Sequence, residues 1–324
     1  MEQQPMNNFH HVPVLVDAVL ENALPENARV FADCTFGLGG HTRAVLERYP
    51  QLTTVVAIDR DHLILDHSSK IFDDQRIQRV QAKASELPQA LQELGIAAVD
   101  GILLDLGVSS YQLEAPERGF SFSRPGPLDM RMDSSQSTTA QDIVNNYSRD
   151  ELVKIFRDYG EEKFSGRIAD AIIRARQAGL INRTDQLAEI IARAVPAASR
   201  RESHIHPATR VFQAIRIAVN KELDELEEFL AIALACLNPG GHLSIISFHS
   251  LEDRLVKNFM QSLARGCDCP PRFPVCVCGK KPQVEILTRK AVFAEESETQ
   301  VNPRARSARL RSCRKCDLSM EQKP

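Results

Sequence analysis

The chain has 324 residues, 43% of them apolar and 26% charged, which excludes disordered, collagenous and membrane-embedded classes. Its 40 Lys and Arg against 43 Asp and Glu leave a formal charge of −3, so any polyanion site must be a local patch, not an overall basic field. At roughly 100 to 200 residues per domain, the length allows one large core with an insertion, or two domains.

Residues 1–11 are polar and lack the apolar core of a signal peptide, and the longest apolar run, 229–237, is too short to span a bilayer. A cytoplasmic protein is expected. From Arg29, short apolar runs alternate with helical patterns. Residues 30–33 lead into a glycine loop and a helix over 41–49, then 54–59 form a second run, 79–81 a weak third and 101–106 a strong fourth. The alternation predicts an α/β fold with a parallel sheet and crossover helices.

Beyond Gln112 the rhythm breaks. Residues 114–136 are rich in Gly, Pro, Ser and Met without a sustained period, and predict a long loop, functional or disordered. Helical signals follow: Ser148 with Glu151 forms a capping box before Leu152, Thr184 caps a helix over 187–195, and Phe164, Ile168, Ile172 and Ala175 mark one between. A long amphipathic helix is expected after Pro207, through Val211, Phe212, Ile215, Val219, Leu223, Leu226 and Leu230, ending at Asn238-Pro239-Gly240-Gly241. Residues 243–248 then resume the sheet, and 284–288 and 308–311 are expected to close it as an antiparallel edge. The expected division is a sheet domain from residues 1–113 and 207–324, interrupted by a helical insertion over 114–206.

The glycine turn Asp33-Cys34-Thr35-Phe36-Gly37-Leu38-Gly39-Gly40-His41 lets backbone approach a ligand and offers unpaired N–H groups at a helix start. A tight strand-helix turn is the plainer reading. Thr42 stands where the third glycine of a dinucleotide fingerprint belongs, which counts against NAD. Asp59, ending the second run, suits a ribose diol or else a helix cap. Asp105 ends the fourth run, so Asp33, Asp59 and Asp105 converge on the crevice beyond the strand ends. In the run 247–253, His249 is a candidate acid, base or RNA contact, and Ser250 reads best as a helix cap.

Thr35-Phe36-Gly37-x-Gly39-Gly40-His41, Gly101-Ile-Leu-Leu-Asp-Leu-Gly-Val-Ser-Ser110, Glu117-Arg-Gly-Phe-Ser-Phe122 and Gly126-Pro-Leu-Asp-Met-Arg-Met-Asp133 follow one another along the chain. After them come His206-Pro-Ala-Thr-Arg210, Ser244-Ile-Ile-Ser-Phe-His-Ser-Leu-Glu-Asp253 and Asn302-Pro-Arg-Ala-Arg306. This series resembles the RsmH (MraW) family of ribosomal RNA methyltransferases, from about His10 to about Arg314. The resemblance implies a class I S-adenosylmethionine-dependent (Rossmann-like) domain with a helical insertion that helps hold RNA. It implies methylation of cytidine N4 at position 1402 of 16S ribosomal RNA, with that RNA or the small ribosomal subunit as partner. Its cofactor contacts carry over to Gly39, Gly40, His41, Asp59, Asp105 and Gln112. Where the family often has an adenine-stacking Phe after the third strand, this chain has Ala84. The (Asp/Asn/Ser)-Pro-Pro-aromatic motif common to amino-methyltransferases is replaced by Asp105-Leu106-Gly107-Val108, so Asp105, Ser109 and His249 are the candidates for the chemistry.

Residues 302–316 hold Arg304, Arg306, Arg309, Arg311, Arg314 and Lys315 with no acid, a candidate phosphate track or a solvated face. Cys267-x-Cys269 and Cys276-x-Cys278 are spaced more tightly than the usual zinc pairs, so reduced thiols and no metal are expected. Two rivals to the enzyme reading are a nucleotide-dependent oxidoreductase, disfavoured by Thr42, and a non-catalytic RNA-binding assembly factor that keeps a cofactor pocket.

Overall fold

The computed structural model describes residues 13–202, 205–267, 269, 275 and 278–317. The polar opening, residues 1–11, and Cys276 lie outside them. In chain order, α1 (Val16–Asn22) precedes β1 (Val30–Asp33), α2 (Gly40–Arg48), β2 (Thr54–Asp59), α3 (His62–Ile71), β3 (Ile77–Gln81), α4 (Leu87–Glu93) and β4 (Val99–Asp105). A helical stretch follows: α5 (Ser110–Glu114), α6 (Ala140–Asn146), α7 (Arg149–Asp158), α8 (Ser165–Ala178), α9 (Thr184–Ala194), α10 (Ala197–Glu202) and α11 (Ala208–Asn220). The chain then forms α12 (Glu222–Ala233), β5 (Leu237–Ser247), α13 (Ser250–Ala264), β6 (Val284–Ile286), β7 (Val292–Phe293), α14 (Glu296–Val301) and β8 (Arg309–Lys315).

The strands form one sheet in the order β3-β2-β1-β4-β5-β8-β6, with β7 also pairing β8. The first five are parallel, whereas β8 runs antiparallel to β5 and to both β6 and β7. Strand side chains alternate between faces. Val55, Ala57, Leu103 and Ile246 pack into one buried layer, and Val56, Ile58, Ile102, Leu104 and Ile245 into the other. Leu87 and Leu91 of α4, Leu226 and Phe229 of α12 and Val256 of α13 cover the second face, while Val19 of α1, Val45 of α2 and Leu65 of α3 cover the first. Burial on both faces explains why these strands read as continuous apolar runs. The expected antiparallel closure is present, but 308–311 begins an inner strand, β8, and β6 takes the edge.

The chain divides into one compact unit of Met1–Gly107 with Leu223–Pro324 and a second of Val108–Glu222. The sequence boundaries of 114 and 206 are therefore corrected, and the reason lies in the amphipathic helix read after Pro207. Two helices stand there. Lys221 adopts φ +49°, in the left-handed region, and ends α11. Val211, Phe212, Ile215 and Val219 of α11 pack in the second unit's core, whereas Leu226, Phe229 and Leu230 of α12 pack on the sheet.

The second unit holds its own hydrophobic core of α6 to α9 and α11. The segment expected to be a long loop belongs to that core: Phe120, Leu128, Met130 and Met132 are buried in it. Polar bonds fix it where no regular element does. Arg118 Nη2 donates to the carbonyls of Arg131 (3.0 Å) and Met132 (2.9 Å). The Asn220 carboxamide accepts from Met132 N (2.7 Å) and donates to Met130 O (2.8 Å). Ser148 and Glu151 form the capping box read from sequence. Thr184 does not cap; it is the first residue of α9, and its hydroxyl accepts from Gly126 N at 3.0 Å. Among the described residues no helix is long and apolar enough to cross a membrane.

Candidate active site at the carboxyl edge of the sheet

The strand order reverses between β1 and β4, the topological switch point beyond which open α/β sheets bind ligands. Register places the carboxyl ends of β1, β2 and β4 side by side, with Asp33 opposite both Ala57 and Leu103. Asp33, Asp59 and Asp105 thus reach one rim, as the sequence spacing implied. Two threonines pin them. Thr42 Oγ1 donates to Asp33 Oδ2 at 2.7 Å, and Asp105 N donates to Thr35 Oγ1 at 2.6 Å. Thr42, the residue that breaks the dinucleotide fingerprint, is itself fully buried as the clamp on Asp33.

Asp59 accepts from Gly37 N through Oδ2 and from Asp61 N through Oδ1, both at 2.9 Å. Its neighbour Asp61 caps α3, accepting from Leu63 N at 3.2 Å, so the cap reading of Asp59 fails. Each Asp59 oxygen keeps a second lone pair, the capacity a vicinal diol requires. Between these acids, Gly39 caps α2 with φ +77°, and a Cβ there would meet Phe36 Cζ and Phe72 Cδ1 at 2.8 Å. Gly40 lies against the Pro13 ring. The first-turn N–H groups of α2 have no partner within the helix and face outward from its positive end.

His41 Nε2 donates to Val14 O at 2.8 Å, which leaves Nδ1 as the acceptor of the neutral ring, 3.6 Å from Asp105 Oδ2. Burial lowers the pKa of His41 and raises that of Asp105 to about 7, the Glu252 charge adding to the latter. Burial likewise raises Asp33 to about 6 and Asp59 above its ordinary value. Asp105 Oδ1 is buried without a hydrogen-bond partner among the described residues. Sequence reasoning missed Glu252, which is 2% exposed and accepts from Phe248 N (2.8 Å) and His249 N (3.2 Å).

His249, and not Ser250, is the N-cap of α13: its Nδ1 accepts from Glu252 N at 3.4 Å, completing a capping box with Glu252. The cap accounts for Nδ1 only: Nε2 is buried 3.1 Å from Glu252 Oε1, without hydrogen-bond geometry among the described residues. Ser109 and Gln112 fall in the second unit and bond each other reciprocally, Ser109 N to Gln112 Oε1 (3.1 Å) and Gln112 N to Ser109 Oγ (3.2 Å). Ala84 opens a short turn over Ala84–Glu86 and packs against the sheet's core, with no ring to stack.

The basic tail is not uniform. Arg306 is exposed and Arg304 half-buried, and Arg309, where β8 pairs the carboxyl end of β5, is loosely paired, its Nη1 3.8 Å from Asp253 Oδ2. Arg311 is held by Asp253 (2.7 and 3.2 Å), Arg314 by Glu285, and Lys315 by the carbonyls of Leu234 and Leu237. A phosphate track along the whole run is therefore corrected to its first half.

A ligand suited to this rim carries a diol for Asp59 and positive charge for buried carboxylates, one with a vacant oxygen. S-adenosylmethionine, a ribose joined to a sulfonium and an ammonium, matches that donor set, whereas NAD would bring an anionic pyrophosphate against the same carboxylates. Parallel β1 to β5 with an antiparallel strand between β5 and the edge is the sheet of a class I methyltransferase, and the chain is an S-adenosylmethionine-dependent enzyme of that class. The sequence profile of the MraW methylase family matches residues 8–316, and the chain belongs to that family. It is 49% identical over 309 residues to the ribosomal RNA small subunit methyltransferase H of Syntrophotalea carbinolica, covering 95% of this chain and 98% of that one. The Carboxydothermus hydrogenoformans protein of the same name is 48% identical over 314 residues, covering 96% and 99%. That of Heliobacterium modesticaldum is 46% identical over 311 residues, covering 95% and 99%.

Proposed function

We propose that the chain transfers a methyl group to the N4 amine of cytidine 1402 in 16S ribosomal RNA, acting in the cytoplasm on that RNA or on the small ribosomal subunit. Family membership supports the RNA substrate, and the unpartnered, buried Oδ1 of Asp105 is the observation that carries the chemistry. When bound, S-adenosylmethionine supplies an electrophilic methyl group. Asp59 would hold its ribose, the Gly39-Gly40-His41 turn its methionine end, and Asp33 and Asp105 would neutralise its positive charge. The roles of Ser109 and Gln112, and RNA recognition by the helical unit, rest on the family resemblance. Arg304, Arg306 and Arg309 are suited to phosphates.

The exocyclic amine of cytosine is a poor nucleophile because its lone pair is delocalised into the ring. An acceptor that takes an N–H hydrogen bond localises that pair and draws the nitrogen toward a tetrahedral geometry. Asp105 is the first candidate, at the strand end and with a free oxygen. The base must leave its stack to reach a strand-edge crevice, with the reacting atoms about 3 to 3.5 Å apart. No base stronger than a carboxylate is required, because the product cation is acidic and loses its proton after transfer.

The test is incubation of the purified protein with isotopically labelled S-adenosylmethionine and small subunits from cells lacking it, followed by mass mapping of the RNA. Label on one cytidine N4 is the expected result. Label on C5 or a ribose oxygen refutes the N4 assignment, and absence of label with intact cofactor binding favours a non-catalytic assembly factor.

A further inference from the structure

Among the described residues, all the cysteines except Cys316 fall into two physical groups. Cys34, Cys236 and Cys313 are buried in the sheet's core layers, where burial holds each thiol protonated. Cys267, Cys269 and Cys278 lie on the connection between α13 and β6, with all three Sγ atoms within 4.8 Å of one another. We propose that these three thiolates form a binding site for a soft divalent cation, zinc by ligand type, that staples the connection between α13 and β6.

Distance separates this from a chance grouping and from a disulfide. A tetrahedral zinc ion with Zn–S near 2.3 Å sets its sulfurs about 3.8 Å apart. Cys278 Sγ lies 3.7 Å from Cys267 Sγ. A disulfide needs about 2.05 Å and would leave the third thiol unused. Cys269 N also donates to Cys267 Sγ at 3.3 Å, an N–H to sulfur contact that favours the thiolate over the thiol. The narrow Cys-x-Cys spacing that argued against metal applies to each pair taken alone. The fold brings Cys278 back onto Cys267 and Cys269, so the ligands come from both ends of the segment.

The connection also has a structural need for such a staple. Its neck is closed, with Gln283 N donating to Leu263 O at 2.8 Å and Gly266 against the Pro282 ring. Beyond the neck the described residues contribute nothing to the hydrophobic core, and Val275 is 70% exposed. The described residues of the connection therefore draw no order from core packing, and another source must supply it. An ion held by thiolates provides one, as it does in small domains that bury too little surface. Three protein ligands leave the fourth position of the ion for another donor.

The probe is zinc or cobalt alone, added to the reduced full-length chain. Elemental analysis after dialysis is expected to find about one zinc per chain, and cobalt to develop thiolate charge-transfer absorption. A thiol reagent is expected to react with three fewer cysteines in the zinc-loaded protein than after chelation. Cys267→Ser with Cys278→Ser should abolish metal retention, and Cys316→Ser, outside the cluster, should keep it. Metal retained at the parental level by the double variant overturns the proposal. So does a reduced chain in which Cys267, Cys269 and Cys278 react at the same rate with zinc as after chelation, or a metal-free product with Cys267 and Cys278 oxidised to a disulfide. Cobalt absorption of the unsubstituted chain decides the matter should the double variant fail to fold, and its absence there is refuting.

Discussion

Cofactor affinity is expected to rise with pH through the neutral range, because the rim must lose a proton before it can hold a cation. Burial and the Glu252 charge raise Asp105 to about 7 in the free protein. A cation docked against the carboxylate restores it toward the ordinary value of 3.8. The protonated and ionised proteins then differ in affinity, and binding strengthens about tenfold per pH unit below 7, levelling off above it. Between pH 5.5 and 7.5 Asp105 by itself contributes a gain of about 25-fold, with about half a proton released from it on binding at pH 7. Calorimetry in buffers of differing ionisation enthalpy reads both quantities. Asp105→Asn should flatten the profile above about pH 6.5 and leave a smaller limb from Asp33, whose pKa is about 6. An affinity that is constant over this range, or a profile unchanged in Asp105→Asn, refutes the argument. The free protein supplies a check of opposite sign. A carboxyl whose folded pKa is raised contributes its full stability below the unfolded value and loses it as pH climbs through the folded one. Asp105→Asn is therefore expected to stabilise the unliganded chain at pH 8, by at most about 4 kcal/mol, and not at pH 4.

The two glycines of the turn should behave differently in thermal or urea denaturation. Gly39→Ala, with its Cβ at 2.8 Å from two rings, is expected to cost about 2 to 4 kcal/mol, whereas Gly37→Ala, whose nearest contact is 3.9 Å, should cost about 1 kcal/mol. Equal losses would mean that the Phe36 and Phe72 rings yield freely. Lys221→Gly should stabilise the chain by roughly 1 kcal/mol, since Lys221 sits at φ +49°; destabilisation would show that the side chain has another role. In single-turnover methyl transfer at saturating cofactor, Asp105→Asn should fall far below His249→Ala, which loses mainly a helix cap of about 1 kcal/mol in stability. A near-normal Asp105→Asn rate eliminates that carboxylate as the amine acceptor.

The sheet and its acidic rim were legible because strand ends are read from where apolar runs stop, and Asp33, Asp59 and Asp105 each stand at such a stop. The helical block was legible as a block, but its limits were not. Apolar residues at helical spacing run without interruption from Val211 to Leu230, and periodicity carries no mark of a change in partner. The break depends on the backbone of one residue, Lys221, whose type does not favour a left-handed turn. The core role of Phe120, Leu128, Met130 and Met132 was hidden for the opposite reason. Their segment is ordered by the Arg118 guanidinium and the Asn220 carboxamide, contacts distant in sequence that leave no period. Ser250 reads in the sequence as the cap of α13 because serine is a common capping residue and histidine is not, which also conceals Glu252, the partner of His249 in the box.

Glu252 matters because it makes the state of Asp105 conditional. Burial is the larger cause of the raised pKa of Asp105, and the charge of buried Glu252 adds to it, so that near pH 7 the carboxyl is about half ionised and a compensating cation completes its ionisation. A protonated Asp105 can donate to the free Nδ1 of His41, since the Val14 carbonyl holds the ring's only proton on Nε2. In that state the carboxyl is a weak acceptor toward an amine. In the proposed mechanism, arrival of positive charge at the rim shifts this mixture to the carboxylate, the form in which Oδ1 is the strong acceptor that localises the N4 lone pair. The same group would thus couple cofactor occupancy to activation of the base, most strongly below pH 7, where the empty site holds mainly the protonated carboxyl.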